Sequence, residues 1–197
     1  MSDLKIRGGG TILGASQSGH IAAVGYEMYL KLMENAVSEL KGEPVIESLE
    51  PEINIIISAY IPESYIPDID QRLSAYRRLS KMTELGEIAD FKTEVIDRFG
   101  ALPREAANLL LKIMLKVLSI KAGVKRLDLT GGKLVLHFSA VHQKNPPGIV
   151  DVVVSNKKLY ELSPDFIFKA RLSNSSFNGL VAQVRKILKE IAQRVNG

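Results

Sequence analysis

The chain of 197 residues contains no cysteine. This absence excludes a disulfide framework, a thiolate metal site and a cysteine nucleophile, and it fits a protein of the reducing cytosol. No apolar run reaches the roughly 18 residues of a membrane-spanning helix, and the N-terminus lacks the basic and then apolar pattern of a secretory signal. The sequence therefore predicts a cytoplasmic protein with no membrane partner.

Motifs for nucleotide binding and catalysis are also missing. The spacing of Gly8, Gly10 and Gly14 does not fit G-x-G-x-x-G, and no Gly-Lys-Ser/Thr of a P-loop occurs. No Ser-His-Asp arrangement has a supporting context. The histidines share no metal-ligand spacing: His20, His137 and His142. We therefore expect no catalytic, cofactor or metal site in this chain, which predicts that it is not itself an enzyme.

The charge is mildly basic, with 26 Lys and Arg against 22 Asp and Glu. A nucleic-acid footprint requires basic residues to cluster. Two segments do so: Arg72, Arg77, Arg78 and Lys81, and then Arg185, Lys186, Lys189 and Arg194. Neither segment has interleaved aromatic residues, so neither resembles a stacking platform for single strands. An accessory module that binds nucleic acid through these basic helices is the alternative function.

The first 48 residues differ from the rest. Five glycines lie between Arg7 and His20, and ordering so glycine-rich a loop is entropically costly unless its backbone must turn sharply or approach something closely. Apolar residues then recur at helical spacing through 21–41. The polar, proline-bearing stretch 42–51 predicts a linker. We expect a loop and helix in 1–48, left from the preceding domain of a larger protein, and a main domain over 49–197.

The first half of the main domain is predicted to be mostly helical. An isoleucine-rich strand is expected at 53–60. Pro62 and Pro67 bracket a turn, and Pro67 can occupy the first turn of a helix that runs to about Met82. Thr83 can cap a second helix, which ends at Gly100. Pro103 opens a third helix over 104–122 that is apolar almost all round and therefore central.

The second half begins with the clearest local signal in the chain. Strands 124–130 and 133–139 flank Gly131-Gly132, a two-residue turn of the kind that needs positive φ. A short helix at 147–155, strands near 158–162 and 165–171, and a regular amphipathic helix at 176–195 follow. The predicted class is α+β, a small and mostly antiparallel sheet packed with several helices and preceded by the loop and helix.

The second predicted helix carries a row of acidic residues beside its apolar face. They recur at intervals of three or four: Glu84, Glu87, Asp90, Glu94 and Asp97. Such a row, named the acidic stripe from here on, can be an ordinary solvated helix face. It also suits a basic partner surface by charge complementarity.

Two blocks of the sequence resemble the family of bacterial transcription-repair coupling factors. The first is Asp3-Leu-Lys-Ile-Arg-Gly-Gly-Gly, Leu13-Gly14, Gln17-Ser18-Gly19-His20 and Val24-Gly25-Tyr26. The second is Tyr60-Ile-Pro-Glu-Ser-Tyr-Ile-Pro-Asp68, Arg72-Leu73, Tyr76-Arg77-Arg78-Leu79 and Asp97-Arg-Phe-Gly-Ala-Leu-Pro103. The first block alone is shared with RecG branch-migration helicases, but both blocks in this order indicate the coupling factors.

The resemblance implies an ATP-driven translocase on double-stranded DNA, helicase-like, as the parent protein. Such a parent displaces stalled RNA polymerase and recruits nucleotide excision repair, with ATP and magnesium bound in domains outside this chain. Residues 3 to about 25 resemble the motif that couples hydrolysis to translocation, and Arg7 and Gln17 would be its coupling residues. An arginine that only ties down the loop is the other interpretation of Arg7.

For 49–197 the resemblance implies a regulatory C-terminal domain without catalytic groups. In the family this domain packs against an N-terminal module similar to excinuclease B and masks the surface that recruits excinuclease A. Its work would be autoinhibition through a protein interface. We expect the acidic stripe to contribute to the masking contact.

Overall fold

The computed structural model describes residues 49–139, 147–173 and 176–196. These residues form five strands and five helices. The strands are β1 (Glu52–Ile55), β2 (Val124–Thr130), β3 (Lys133–Phe138), β4 (Tyr160–Leu162) and β5 (Ile167–Arg171). The helices are α1 (Ile69–Ser80), α2 (Leu85–Phe99), α3 (Arg104–Lys121), α4 (Pro147–Ser155) and α5 (Phe177–Asn196). The predicted loop and helix within 1–48 lie outside the described residues, and the division into two domains stays a prediction.

The strands form one sheet in the order β1-β2-β3-β5-β4. Strand β1 is parallel to β2, and every other pairing is antiparallel. Gly131 and Gly132 join β2 to β3 with φ of 57° and 73°, as a two-residue hairpin turn requires. The predicted α+β class, with a small and mostly antiparallel sheet packed with helices, is confirmed.

The helices cover one face of the sheet. Inward-facing residues of the strands, such as Leu127, Leu136 and Phe168, pack with Leu118 of α3 and Leu188 of α5 in one buried cluster. A second buried cluster joins α1, α2 and the other side of α3. Helix α3 contributes to both clusters, which explains why its sequence is apolar almost all round. None of the helices in the described ranges is long and apolar enough to cross a membrane.

The strand predicted at 53–60 is shorter than expected. Pairing with β2 ends at Ile55, and the Ile57 amide donates back to the Ile55 carbonyl at 3.0 Å. The following backbone bonds to the start of α3 instead: the Tyr60 amide donates to the Glu105 carbonyl at 3.3 Å, and the Asn108 side chain donates to the Ser58 carbonyl at 2.8 Å. After Ile55, Ile57 and Ile61 therefore pack without strand pairing, while Ile56 stays exposed.

Two predicted helix starts are wrong by a residue or two. Pro67 lies before α1, because Asp68 is the N-cap and its carboxylate accepts from the Gln71 amide at 2.8 Å. Thr83 does not cap α2, because the N-cap is Glu84. The Glu87 carboxylate reaches back and accepts from the amides of Thr83 and Glu84, both at 2.9 Å. A glutamate in the first turn thus replaces the expected threonine cap.

Candidate protein-interaction surface

The acidic stripe runs along α2, where Glu94 reaches α1 and Glu84 reaches the end of α3. Its members start at the N-cap, Glu84, and end in the last turn, at Asp97. The adjacent side of α2 is apolar and buries Ile88, Phe91 and Val95. The structure therefore holds the five carboxylates along one helix, as the spacing predicts. Their environments differ, and this determines which of them are free to meet a partner.

Glu94 is bound within the domain. The Arg78 guanidinium of α1 donates two hydrogen bonds to the Glu94 carboxylate, at 2.9 and 2.7 Å. Arg98, one turn further along α2, donates a third at 3.3 Å. The hydrogen bonds from Arg78, together with the positive charges of both arginines, lower the pKa of Glu94 against a smaller effect of burial. Glu94 therefore joins two helices.

Glu84 and Glu87 are also engaged. Lys121 at the end of α3 lies 2.5 Å from a carboxylate oxygen of Glu84, which ties the start of α2 to the end of α3. The hydrogen bonds that the Glu87 carboxylate accepts from the amides of Glu84 and Thr83 lower the pKa of its carboxyl group. An ionised Glu87 also suits the positive end of the helix. Both residues fix the N-terminus of α2.

Asp90 and Asp97 are the two stripe residues left free. Both side chains are exposed, and neither carboxylate forms a hydrogen bond or an ion pair with any part of the chain that the structure describes. They lie seven residues apart, which is about two helical turns and about 10 Å along the axis. A basic surface laid along α2 would meet these two carboxylates first.

An apolar cavity lies on the other side of α2, between α2, α3 and α5. Its volume is about 530 Å³, and its lining includes Ile88, Leu110, Met114 and Val181, with Arg185 as one of its charged members. Within the described ranges, no group of three or more His, Asp and Glu side chains could hold a metal ion.

Two arginines of the first basic segment are held by contacts within the domain. Arg72 is buried, and its guanidinium donates to the carbonyls of Ile66 and Pro67 at 2.6 and 2.7 Å. Arg78 is engaged with Glu94. Burial makes Arg72 unavailable to nucleic acid, whereas the alternative function of the two basic helices stays a prediction. In the second segment, by contrast, Arg185, Lys186 and Lys189 are exposed on α5.

Arg7 and Gln17 lie outside the described residues. Their predicted role in coupling stays a prediction.

A polar network that the sequence pattern did not predict lies on the open face of the sheet. The Arg126 guanidinium holds the Asp128 carboxylate through three hydrogen bonds of 2.9 to 3.1 Å, and Asn54 of β1 donates to the same carboxylate at 2.9 Å. The hydrogen bonds from Arg126 are the largest cause of the lowered pKa of Asp128. The spacing of Arg126 and Asp128 in the sequence places both on one face of a strand and could have indicated their ion pair. The contact with Asn54 of β1 depends on strand register and could not be predicted in this way.

Comparison with known proteins identifies a domain that has the same fold. A family model described as "TRCF domain" matches residues 55–149. A solved structure of the C-terminal domain of a transcription-repair coupling factor has the same fold, with a TM-score of 0.66 and 18% sequence identity, over 78% of this chain and 98% of that one. The fold is that of a TRCF C-terminal domain.

Curated relatives extend the match over nearly the whole chain. The transcription-repair-coupling factor of Myxococcus xanthus is 34% identical over 191 residues, which are 96% of this chain and 16% of the relative. That of Escherichia coli K12 is 32% identical over 196 residues, 97% of this chain and 17% of the relative. The chain belongs to the transcription-repair-coupling factor family, and it spans about one sixth of the length of these relatives.

Proposed function

We propose that residues 49–197 form a non-catalytic, autoinhibitory interaction domain of a transcription-repair coupling factor. The domain covers an N-terminal module of the same parent, similar to excinuclease B, and so masks the surface that recruits excinuclease A. The parent is an ATP- and magnesium-dependent translocase on double-stranded DNA in the cytoplasm. It removes stalled RNA polymerase and brings in nucleotide excision repair. Arg7 and Gln17 couple hydrolysis to its movement.

The observation that carries the proposal is that three carboxylates of the acidic stripe bind within the domain while two stay exposed. Glu84, Glu87 and Glu94 are committed to the N-terminus of α2 and to its packing against α1 and α3. Asp90 and Asp97 make no contact of this kind among the described residues and remain exposed on the same side. Two unpaired carboxylates on a helix fixed at three points form a rigid acidic surface, which suits a basic module.

This difference between bound and exposed carboxylates determines which residues the experiment should change. Reversing Glu87 or Glu94 would remove a helix cap or an ion pair and so disturb the fold along with the surface. Lysine at positions 90 and 97 leaves those contacts in place, and a cation near the C-terminus of α2 is favourable.

The experiment compares the intact parent with its Asp90→Lys, Asp97→Lys variant for binding to excinuclease A. Repulsion from a basic partner should open the masking contact, and we expect excinuclease A to bind about tenfold more tightly. The control is Asp151→Lys, a reversal at an exposed residue of α4.

A second measurement tests the contact directly. This chain should capture the separately expressed N-terminal module, and the capture should weaken with salt and with the double reversal. Unchanged excinuclease A binding by a folded double variant, together with unchanged capture, would refute the role of the acidic stripe.

A further inference from the structure

Several cations of the helical half of the domain have an acidic partner, whereas others, such as Arg77 and Arg104, are exposed singly. Arg78 and Arg98 bind Glu94, Lys116 lies 3.3 Å from Glu50, and Lys121 binds Glu84. On the sheet, Arg126 binds Asp128. A different arrangement holds at the end of the sheet that carries the Gly131-Gly132 turn, where exposed cations gather without such partners.

Three cations lie side by side on the open face at this end. Lys133 of β3 is directly opposite Arg171 of β5 in the register, and Lys169 lies two residues before Arg171 on the same face. All three are exposed, and none forms a side-chain hydrogen bond or ion pair within the part of the chain that the structure describes. Like charges directly opposite each other on neighbouring strands destabilise a sheet. The fold therefore keeps an unfavourable arrangement here.

The cations continue around the edge of the sheet. Leu159 accepts a hydrogen bond from the Arg171 amide at 3.1 Å, so the exposed Lys157 and Lys158, just before it in the chain, lie beside the same edge. Asn156 then forms one wall of an open groove of about 600 Å³, whose other lining residues all belong to α5. Those residues include Arg185, Lys186 and Lys189.

We call this set the basic band: Lys133, Lys157, Lys158, Lys169, Arg171, Arg185, Lys186 and Lys189. It holds eight of the 26 Lys and Arg residues of the chain. Its acidic neighbours are Glu161, opposite Lys169 in the register, and Glu190 in the groove. Among the described residues outside the band and these two neighbours, there are 13 Lys and Arg and 14 Asp and Glu. The net positive charge of the described part of the chain therefore belongs to the band.

We propose that the basic band binds the phosphate backbone of double-stranded DNA without reading its sequence. The band is separate from the acidic stripe, and the inference does not rest on the masking role. A bound polyanion would offset the repulsion between Lys133 and Arg171, which gives the like-charge pair a function.

The composition of the band favours DNA over an acidic protein. Six of its eight members are lysine, a residue depleted in protein interfaces but common in phosphate contacts. A protein interface is organised around several aromatic and arginine anchors that become buried. The exposed large apolar residues beside Lys157 and Lys158 in the chain are the aliphatic Val154 and Leu159, which are not anchors of that kind. The band itself has no aromatic residue on which unpaired bases could stack, so a duplex fits better than a single strand.

The test measures binding of the whole 197-residue chain to a fluorescent 30-base-pair duplex over a range of salt concentrations. The sheet variant is Lys133→Gln, Lys169→Gln, Arg171→Gln, and the helix variant is Arg185→Gln, Lys186→Gln, Lys189→Gln. The matched control, Arg77→Gln, Lys81→Gln, Arg104→Gln, removes three exposed cations that lie outside the band.

The unmodified chain should bind duplex with an affinity that falls steeply with salt. Each band variant should lose at least about tenfold in affinity. The slope of log K against log salt concentration should also become less negative by roughly two to three, the contribution of about three phosphate contacts. The control should change affinity less than about threefold. The sheet variant removes the like-charge pair of Lys133 and Arg171 together with the opposite-charge pair of Lys169 and Glu161, so it should unfold at about the same denaturant concentration as the unmodified chain. This readout separates binding from folding.

Three results would overturn the proposal. The first is no salt-dependent binding by the unmodified chain. The second is an equal loss in the control and in whichever band variant is folded. The third is displacement of the duplex by polyglutamate at the same charge concentration, which would assign the band to an acidic protein instead.

Discussion

The guanidinium of Arg78 and the carboxylate of Glu94 join the first two helices of the domain through a bidentate pair, with hydrogen bonds of 2.9 and 2.7 Å. The same guanidinium lies over the Phe91 ring, 5.1 Å from its centroid. The sequence pattern assigns Glu94 to an interaction surface and Arg78 to a basic cluster. In the structure these two residues bind each other. Neither partnership is visible from helical periodicity, because it depends on how α1 crosses α2.

Replacing Glu94 with glutamine should lower the free energy of unfolding by about 0.5–1 kcal/mol at neutral pH. This is the range for a partly exposed ion pair with good geometry, since the side chains are 49% and 35% exposed. Chemical denaturation of both proteins measures the difference. Asp90→Asn removes an unpaired carboxylate from the same helix and should change the free energy of unfolding by less than about 0.5 kcal/mol.

The same pair predicts a pH dependence. Because its arginine partners lower the pKa of Glu94 in the folded protein, the folded state binds this proton less readily than the unfolded chain does. The stabilisation is therefore present above the unfolded pKa and is lost as pH falls through the folded pKa. The gap between the unmodified protein and Glu94→Gln should close in acid, and a gap that stays constant from neutral pH to below the folded pKa would contradict this account.

Arg72 shows what composition alone cannot decide. In the sequence it belongs to a basic segment, whereas in the structure it is 6% exposed and binds the carbonyls of Ile66 and Pro67. Those carbonyls lie just before α1, so the guanidinium orders the entry to the helix. A buried arginine of this kind has no distinguishing mark in a one-dimensional pattern.

Arg72→Gln should destabilise the domain by roughly 1.5–3 kcal/mol, the range for hydrogen bonds from a charged group. Arg77→Gln, at the exposed neighbour in the same basic segment, should be nearly neutral. Thermal or chemical unfolding distinguishes the two, and equal effects of both substitutions would show that the buried contacts contribute nothing.

The elements that the sequence predicted well are those defined by local chemistry. Gly131-Gly132 fixed the β2–β3 hairpin, Gly100 ended α2, and Pro103 directly preceded α3, because turns and helix ends depend on neighbouring residues. The apolar periodicity of α5 predicted both its ends to within about two residues. Strand register was not accessible in this way. The opposition of Lys133 and Arg171, which defines the basic band, joins residues 38 positions apart and follows from the order of strands in the sheet.

The Tyr76 ring of α1 is buried in the second cluster, and its hydroxyl group has a further role. It accepts a hydrogen bond from the buried Ile61 amide at 2.8 Å. Tyr76→Phe leaves that amide unsatisfied and should cost about 1–3 kcal/mol of unfolding free energy. Tyr60→Phe is the matched control, since the Tyr60 hydroxyl forms no hydrogen bond among the described residues, and it should cost less than about 0.5 kcal/mol. Denaturant titrations of the pair would refute the role of the hydroxyl if they gave equal losses.

Two glycines in helices should respond to alanine in opposite directions. A Cβ at Gly148, in the first turn of α4, would lie 2.4 Å from the Arg194 carbonyl oxygen of α5 and 2.8 Å from its carbon, so the two backbones would have to separate. We expect Gly148→Ala to cost about 1–3 kcal/mol, the usual range for overpacking. A Cβ at Gly86, in the first turn of α2, would meet nothing within 4 Å, and Gly86→Ala should stabilise by up to about 1 kcal/mol, because alanine has the higher helix propensity and restricts the unfolded chain. Unfolding curves of both variants measure the sign directly. If Gly148→Ala were as stable as Gly86→Ala, the close crossing of α4 and α5 would be wrong, and with it the position of Asn156 at the wall of the basic groove.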